Sequence, residues 1–430
     1  MNSLFKIRRG SPPLVRPPTI PRREHLPPDA GRARRAVARE ADVAPPLLSD
    51  DRCRSLRLLY VAEAFGGGLF EITRMLAESM AESGHQVAVA YGVRPETPAD
   101  IRERVDAEVE LIPLPWTERS ATAQVRASFA LRRLCRSWRP DVVHLVSSFA
   151  GLHGALAASG LSTVYTPQGY SFTMRSEAQM KRWLYVLLES FVARRVDVVG
   201  ACSLSEGEQA RALPGTGDVA VIPNGISELS AGAVGKARDE NDGSQVIGAT
   251  RRARVVAIGR PSPQRQPEAC ARMLSAMTDI ADVEWVGGGP DSPGRRALVD
   301  AGVPVTGWRA RVETLSRLAQ STVYLHWTAW DGLPLSVLEA MAHDVVVVAS
   351  DIGPNREVLG PEQVCRNEAE ALTLMRSVLT DDDLRMQLVA NQRARRKSYG
   401  ADRMAAEWLG LYHALTEARG TTRKLRMTAR

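Results

Sequence analysis

Five cysteines in 430 residues, Cys53, Cys135, Cys202, Cys270 and Cys365, are odd in number and scattered, with no CxxC pair. That pattern excludes a disulfide framework and a cysteine-clipped zinc site, and it suits a reducing compartment. No window approaches the run of about 18 apolar residues that a spanning helix needs, and Met1 to Arg9 meet charge before any apolar stretch. Neither a membrane span nor a secretory leader is therefore expected, and the chain reads as cytoplasmic. The seven histidines, at 25, 85, 144, 153, 326, 343 and 413, make no ligand pair at helical or hairpin spacing, so a structural role is expected for each. His144, at a strand end near a cleft, is the one to watch. Aromatics are few, at 5%, but 44% hydrophobic and 24% charged residues sit near globular averages and exclude wholesale disorder.

The net charge of +7 is not spread evenly. Residues 1–50 carry ten basic side chains against five acidic ones, and residues 419–430 carry five basic and no acidic ones, leaving the body three charges negative. A nucleic-acid-binding core is disfavoured on that balance. The basic tails could meet anionic lipid or simply be solvated.

Residues 1–52 hold five proline clusters, from Pro12-Pro13 to Pro45-Pro46, and few large apolar residues, so a disordered tail is expected. From 53 to 227 short apolar runs alternate with helical periods. Leu56 to Val61 precedes Gly66-Gly67-Gly68, and Ile72, Met75, Leu76 and Met80 recur at helical spacing before Gln86 to Tyr91. Further strands are expected near 111–114, 142–146, 162–166, 196–201 and 219–222. Residues 228–252 lose any apolar period and read as a linker. A second series spans 253–400, with strands near 255–258, 283–286, 303–306, 322–326 and 345–349; a helix over 401–418 and a basic tail over 419–430 follow. Runs this apolar are strands buried on both faces. The fold class is α/β: two doubly wound parallel-sheet, Rossmann-like domains facing across a cleft, with ligand at the carboxyl ends of the strands.

Four features of the second half could grip a diphosphate. Gly259-Arg260 closes a strand and Arg265 follows five residues on, giving two fork-shaped cations. Gly287-Gly288-Gly289 permits close backbone approach to a ring or ribose, although a plain tight turn explains it as well. Gly307-Trp308 could read a base edge, or Trp308 could simply pack. Asp331-Gly332-Leu333-Pro334-Leu335-Ser336-Val337-Leu338-Glu339 sets two carboxylates eight residues apart across the start of a helix, where amides around Gly332, Leu333 and Leu335 would face an anion. Asp381-Asp382-Asp383 has a metal-binding spacing but precedes a helical run and reads as a cap. Gly66 to Glu71 lacks the GxGxxG order, which argues against a dinucleotide dehydrogenase.

Asp331-x7-Glu339, Gly259-Arg260 with Arg265, and Val221-Ile222-Pro223-Asn224-Gly225 together resemble glycosyltransferase family 4, whose members are retaining enzymes of the GT-B fold. Pro140 to His144, Ser147 to Gly151 and Tyr165 to Phe172 are similar to bacterial members that build surface polysaccharides. The resemblance implies a UDP- or GDP-sugar donor, a saccharide acceptor, lipid-linked through a polyprenyl chain, and neither cofactor nor metal. Arg260 and Arg265 would neutralise the leaving diphosphate, Glu339 would hold the ribose, and Asp331 with the amides of Gly332 to Leu335 would meet sugar and phosphate. Gly288, Gly289, Gly307 and Trp308 would line the donor site. Gly67 and Gly68 would approach phosphate and acceptor from the other domain. Arg265 stands where the family usually has Lys, and two further positions depart: Asp331 stands for Glu, about 1.5 Å shorter in reach, and Gln168 stands where the motif usually carries His and cannot move a proton near neutral pH. A non-catalytic homologue that scaffolds another transferase is the alternative that these departures raise.

A polyprenyl-linked acceptor would bring the first domain to the inner face of the membrane. Lys181, Arg182, Trp183, Leu184, Tyr185, Leu187 and Leu188 near one helix start, with Arg126, Arg132, Arg133 and Arg136 on another, could bind an interface. Alternatively, Trp183 and Leu187 pack on the sheet while the charges are solvated.

Overall fold

The computed structural model describes residues 54–94, 97–116, 121–174, 177–227, 252–289 and 291–428. The tail at 1–52 and nearly all of the linker expected at 228–252 lie outside the described residues.

Seven strands, β1 (Arg57–Ala62), β2 (Gln86–Gly92), β3 (Val109–Leu114), β4 (Val142–Val146), β5 (Ser162–Thr166), β6 (Val198–Ala201) and β7 (Asp218–Val221), form a sheet in the order β3-β2-β1-β4-β5-β6-β7. All its pairings are parallel. Because β4 and β5 are buried at every position, helices must cover both faces. They are α1 (Gly67–Glu82), α2 (Ile101–Arg104), α3 (Ala121–Trp138), α4 (Ser148–Ala157), α5 (Gln179–Ala193) and α6 (Leu204–Ala212). Helices α3, α4 and α5 share one core with Leu59, Val61 and Tyr165, while α1 packs with Tyr60 on the other face. The strand order turns back between β1 and β4, which opens a crevice at their carboxyl ends.

The second sheet, β8 (Arg254–Ile258), β9 (Asp282–Val286), β10 (Val323–His326), β11 (Val346–Ser350) and β12 (Val364–Cys365), has the order β12-β11-β10-β8-β9 and is again parallel. Its helices are α7 (Pro267–Ser275), α8 (Pro293–Asp300), α9 (Arg311–Ala319), α10 (Leu335–Ala342), α11 (Gly353–Leu359), α12 (Glu368–Thr380) and α13 (Asp382–Arg396). The strand expected at 303–306 is reduced to one bridge between Val305 and Trp285, because Pro304 has no N–H with which to extend a ladder.

The last helix, α14 (Ala401–Thr428), corrects the expected end at 418 with a tail from 419. Arg419 holds the helix down by donating to the Gly160 carbonyl and pairing with Asp197. Ile226 and Gly400 are bridged, so the chain returns to the first domain beside the point where it left. Tyr412 then places its hydroxyl 2.7 Å from His144 Nδ1, whose Nε2 is 2.5 Å from Thr166 Oγ1. Trp408 packs on the same imidazole. His144 is thus a mid-strand docking point for α14, and burial pushes its pKa down to about 3.

Candidate active site

The carboxyl ends of β8 and β10 bring Arg265 and Asp331 together: Nη1 lies 2.9 Å from Oδ2 and 3.3 Å from His326 Nε2. An arginine only donates, so Nε2 of His326 must accept, and its Nδ1–H faces the Tyr324 hydroxyl at 2.9 Å. Tyr324 is in turn 2.8 Å from Ser336 Oγ. Burial, reinforced by the Arg265 charge, holds His326 neutral with a pKa well below the usual value. Burial works against the Arg265 charge, but the Asp331 carboxylate overcomes it and raises the pKa above normal. Tyr324 and His326 were missed as site residues. Their i, i+2 placement on one strand, which turns both side chains to one face, was the available signal. Arg260 is exposed and forms no ion pair among the described residues, so the structure does not join it to this cluster.

Gly332 N–H donates to Asp331 Oδ1 at 3.1 Å, so that amide is satisfied within its own loop. Leu333 and Leu335 are buried, and Pro334 is the N-cap of α10 rather than its first residue. Glu339, one turn in, is raised in pKa by burial, which its ion pair with Arg311 partly offsets. Arg311 Nε also lies 3.5 Å from Glu71 Oε2 on α1. Glu71 holds Arg104 at 2.6 Å and Arg74 at 3.2 Å as well. Arg311 therefore bridges the two domains beside the expected ribose position; neither it nor Glu71 was singled out from sequence.

The glycine turns after β8 and β9 nest closely. A Cβ at Gly288 would stand 2.7 Å from Gly307 Cα, and Trp285 Nε1 donates to the Gly259 carbonyl at 2.8 Å. Gly289 has open space beside it. Trp308 is 63% exposed, so packing does not account for it.

From the first domain, Gln168 sits in the left-handed region at φ 55° and exchanges two amide hydrogen bonds with Asn224, at 3.1 and 2.9 Å. Its neighbour Gly169 donates its N–H to Glu206 Oε1 at 2.6 Å. A Cβ on Gly332 would meet the Gln168 carbonyl carbon and Gly169 N at 2.9 Å each, so loops from the two sheets touch here. Gly67 and Gly68 form the first turn of α1, one turn before Glu71, with open space beside both. Among the described residues no three His, Cys, Asp or Glu are grouped to hold a metal ion. Asp381 caps α13, accepting from Leu384 N–H at 2.9 Å.

Residues 67–225 match the glycosyl transferase 4-like domain, and residues 252–380 match glycosyl transferases group 1. Glycogen synthase of Mycobacterium tuberculosis is 28% identical over 188 residues, covering 37% of this chain and 45% of the relative. UDP-Gal:alpha-D-GlcNAc-diphosphoundecaprenol alpha-1,3-galactosyltransferase of Escherichia coli is 24% identical over 258 residues, covering 55% and 64%. The matches thus span between about half and two thirds of these relatives. Sucrose-phosphate synthase from Thermosynechococcus elongatus superposes with a TM-score of 0.71 at 17% identity, covering 84% of this chain and all of that one. Anabaena HepE in complex with UDP-glucose gives 0.64 at 15%, covering 83% and 99%.

Proposed function

We propose that this chain, which belongs to the family 4-like glycosyltransferases of the GT-B fold, moves a hexose from a nucleotide-diphosphate sugar to a saccharide acceptor with retention at the anomeric carbon. The observation that carries this is the Arg265–Asp331 pair set where the Gly332 loop of one sheet touches the Gln168–Gly169 loop of the other. A cation there meets a departing diphosphate, and Asp331 stands within reach of the sugar being moved. Arg260 at the mouth adds a second positive charge. The acceptor oxygen bonds to the anomeric carbon as the carbon–phosphate oxygen bond breaks, and the acceptor proton passes to the departing phosphate on the same face. Electrostatic stabilisation of that phosphate is then the main source of rate. Gln168, locked to Asn224, orients groups and moves no proton.

Glu339 accepts from the ribose hydroxyls once Arg311 yields part of its hold. The donor is a UDP- or GDP-hexose; a HepE complex with UDP-glucose and a relative named for UDP-Gal support UDP. That relative's name also includes a diphosphoundecaprenol acceptor, which supports a lipid-linked saccharide, a role in surface polysaccharide synthesis, and work at the inner face of the membrane.

Incubation with UDP- and GDP-hexoses and polyprenyl-diphosphate saccharides should yield one glycosylated product of retained configuration. Glu339→Ala should weaken nucleotide-diphosphate binding in calorimetry by about 1.5–3 kcal/mol, the worth of hydrogen bonds to a charged group. Unchanged affinity would sink the ribose assignment. Nucleotide binding without transfer to any acceptor would favour the non-catalytic scaffold instead.

A further inference from the structure

We propose that the outer face of the α3–α4–α5 layer is a docking surface for an anionic lipid bilayer, with a headgroup phosphate held between Arg132, Arg136 and Arg139. The apolar side chains of α5 divide: Val186, Phe191, Val192 and Ala193 pack toward the sheet, but those of its first half do not. Met180, Trp183 and Leu187 are 85%, 62% and 64% exposed, at the i, i+3, i+7 spacing of a single stripe. Only Glu189, Ser190, Val192 and Ala193, toward the end of α5, are buried. On α3 the outward residues include Val125 and Phe129, the latter 69% exposed. The helix between them exposes Leu156, while its Leu152 packs on the core. Three adjacent helices therefore each expose large apolar side chains on the outer side of the layer, a grouping that a monomeric soluble protein rarely leaves bare.

Charge selects the occupant. Helix α3 carries Arg126, Arg132, Arg133 and Arg136 and no acidic residue, and all four are exposed and form no ion pair among the described residues. By contrast, Lys181 is paired with Glu177 and Arg182 donates to the Phe172 carbonyl. A pocket of about 270 Å³ opens at the end of α3, lined by Arg132, Arg136 and Arg139 together with Ser159. Guanidinium forks match phosphate oxygens, and apolar insertion combined with basic attraction is how an interfacial surface binds. A second copy on this face would set two such arginine rows together with no carboxylate between them, which argues for lipid.

The helices begin at the carboxyl edge of β3, β4 and β5, the edge that carries Gln168. A bilayer on this face would thus lie beside the crevice, and a polyprenyl-anchored saccharide could enter it from the interface. This last consequence, but not the docking, rests on the acceptor reading above.

Flotation with phosphatidylcholine vesicles containing about one third phosphatidylglycerol tests the proposal. The full chain should bind them at least tenfold better than pure phosphatidylcholine. Phe129→Ser/Trp183→Ser/Leu187→Ser and Arg132→Ser/Arg136→Ser should each lose at least tenfold of that binding, with thermal melting and UDP or GDP affinity unchanged. Failure of the wild type to float, equal flotation of either variant, or a wild-type dimer in ultracentrifugation that the triple variant abolishes would overturn it. The two readings separate: lost flotation with intact nucleotide binding defeats docking alone, whereas flotation without nucleotide binding defeats the transferase reading alone.

Discussion

Arginine at position 265 and aspartate at 331 lengthen one partner of an ion pair and shorten the other, and His326 takes up a donor that a lysine would not aim at it. Arg265→Lys should therefore lose one of the two contacts and lower turnover about 10- to 100-fold while donor affinity changes little, because charge on the leaving group grows toward the transition state. Steady-state kinetics with calorimetry checks this, and equal losses in both would mark uniform binding. His144 carries a different, pH-dependent consequence. Its pKa is lowered from 6.5 to about 3 by burial, so between those values the unfolded chain binds the extra proton, and stability falls as pH drops through the window. Going from pH 7 to 5 should cost about 2 kcal/mol from this residue. Urea unfolding of His144→Gln should show a pH difference smaller by that amount.

At the scale of elements, the close approach of the Gly332 loop to Gln168 and Gly169 is the joint between the domains. Gly332→Ala would drive a Cβ into backbone atoms that cannot swing aside, at a cost of about 1–3 kcal/mol. Turnover should fall at least tenfold, while UDP or GDP affinity, which the proposed function assigns to the second domain, should hold within a few-fold; a kinetic and calorimetric pair of measurements checks both. Strands such as β4 and β11 were legible because a run dominated by Val, with only His144 interrupting it in β4, has nowhere to go but between two helical layers. The placing of Arg265 and Asp331 after strands of one parallel sheet was legible too, but their ion pair was not, because spacing along the chain does not say which side chains of neighbouring loops touch. The Glu71–Arg311–Glu339 bridge was not. A charged residue at a helix start looks the same whether solvated or buried against a partner from another sheet. Nor could periodicity tell whether anything covers Trp183 and Leu187: it gives the apolar stripe of α5, not what lies on it.

For the whole molecule, the positive charge at the proposed diphosphate position comes from a side chain fixed by packing, with Arg265 held by Asp331 and His326 from the second sheet. Transfer should therefore persist in excess EDTA within about twofold, since the arginine's electrostatic role needs no exchangeable ion. Complete loss restored by Mn²⁺ would send the search back to the acidic loops. The return of α14 to the first sheet also governs how the protein comes into being. Tyr60 and Tyr412 meet across 352 positions, and His144 and Tyr412 across 268. As the chain leaves the ribosome, the first sheet waits with Tyr60 and His144 uncovered until the entire second domain has been synthesised. The domain made first is thus the one completed last, and a nascent chain halted near residue 400 would carry a finished second domain beside an open, aggregation-prone partner.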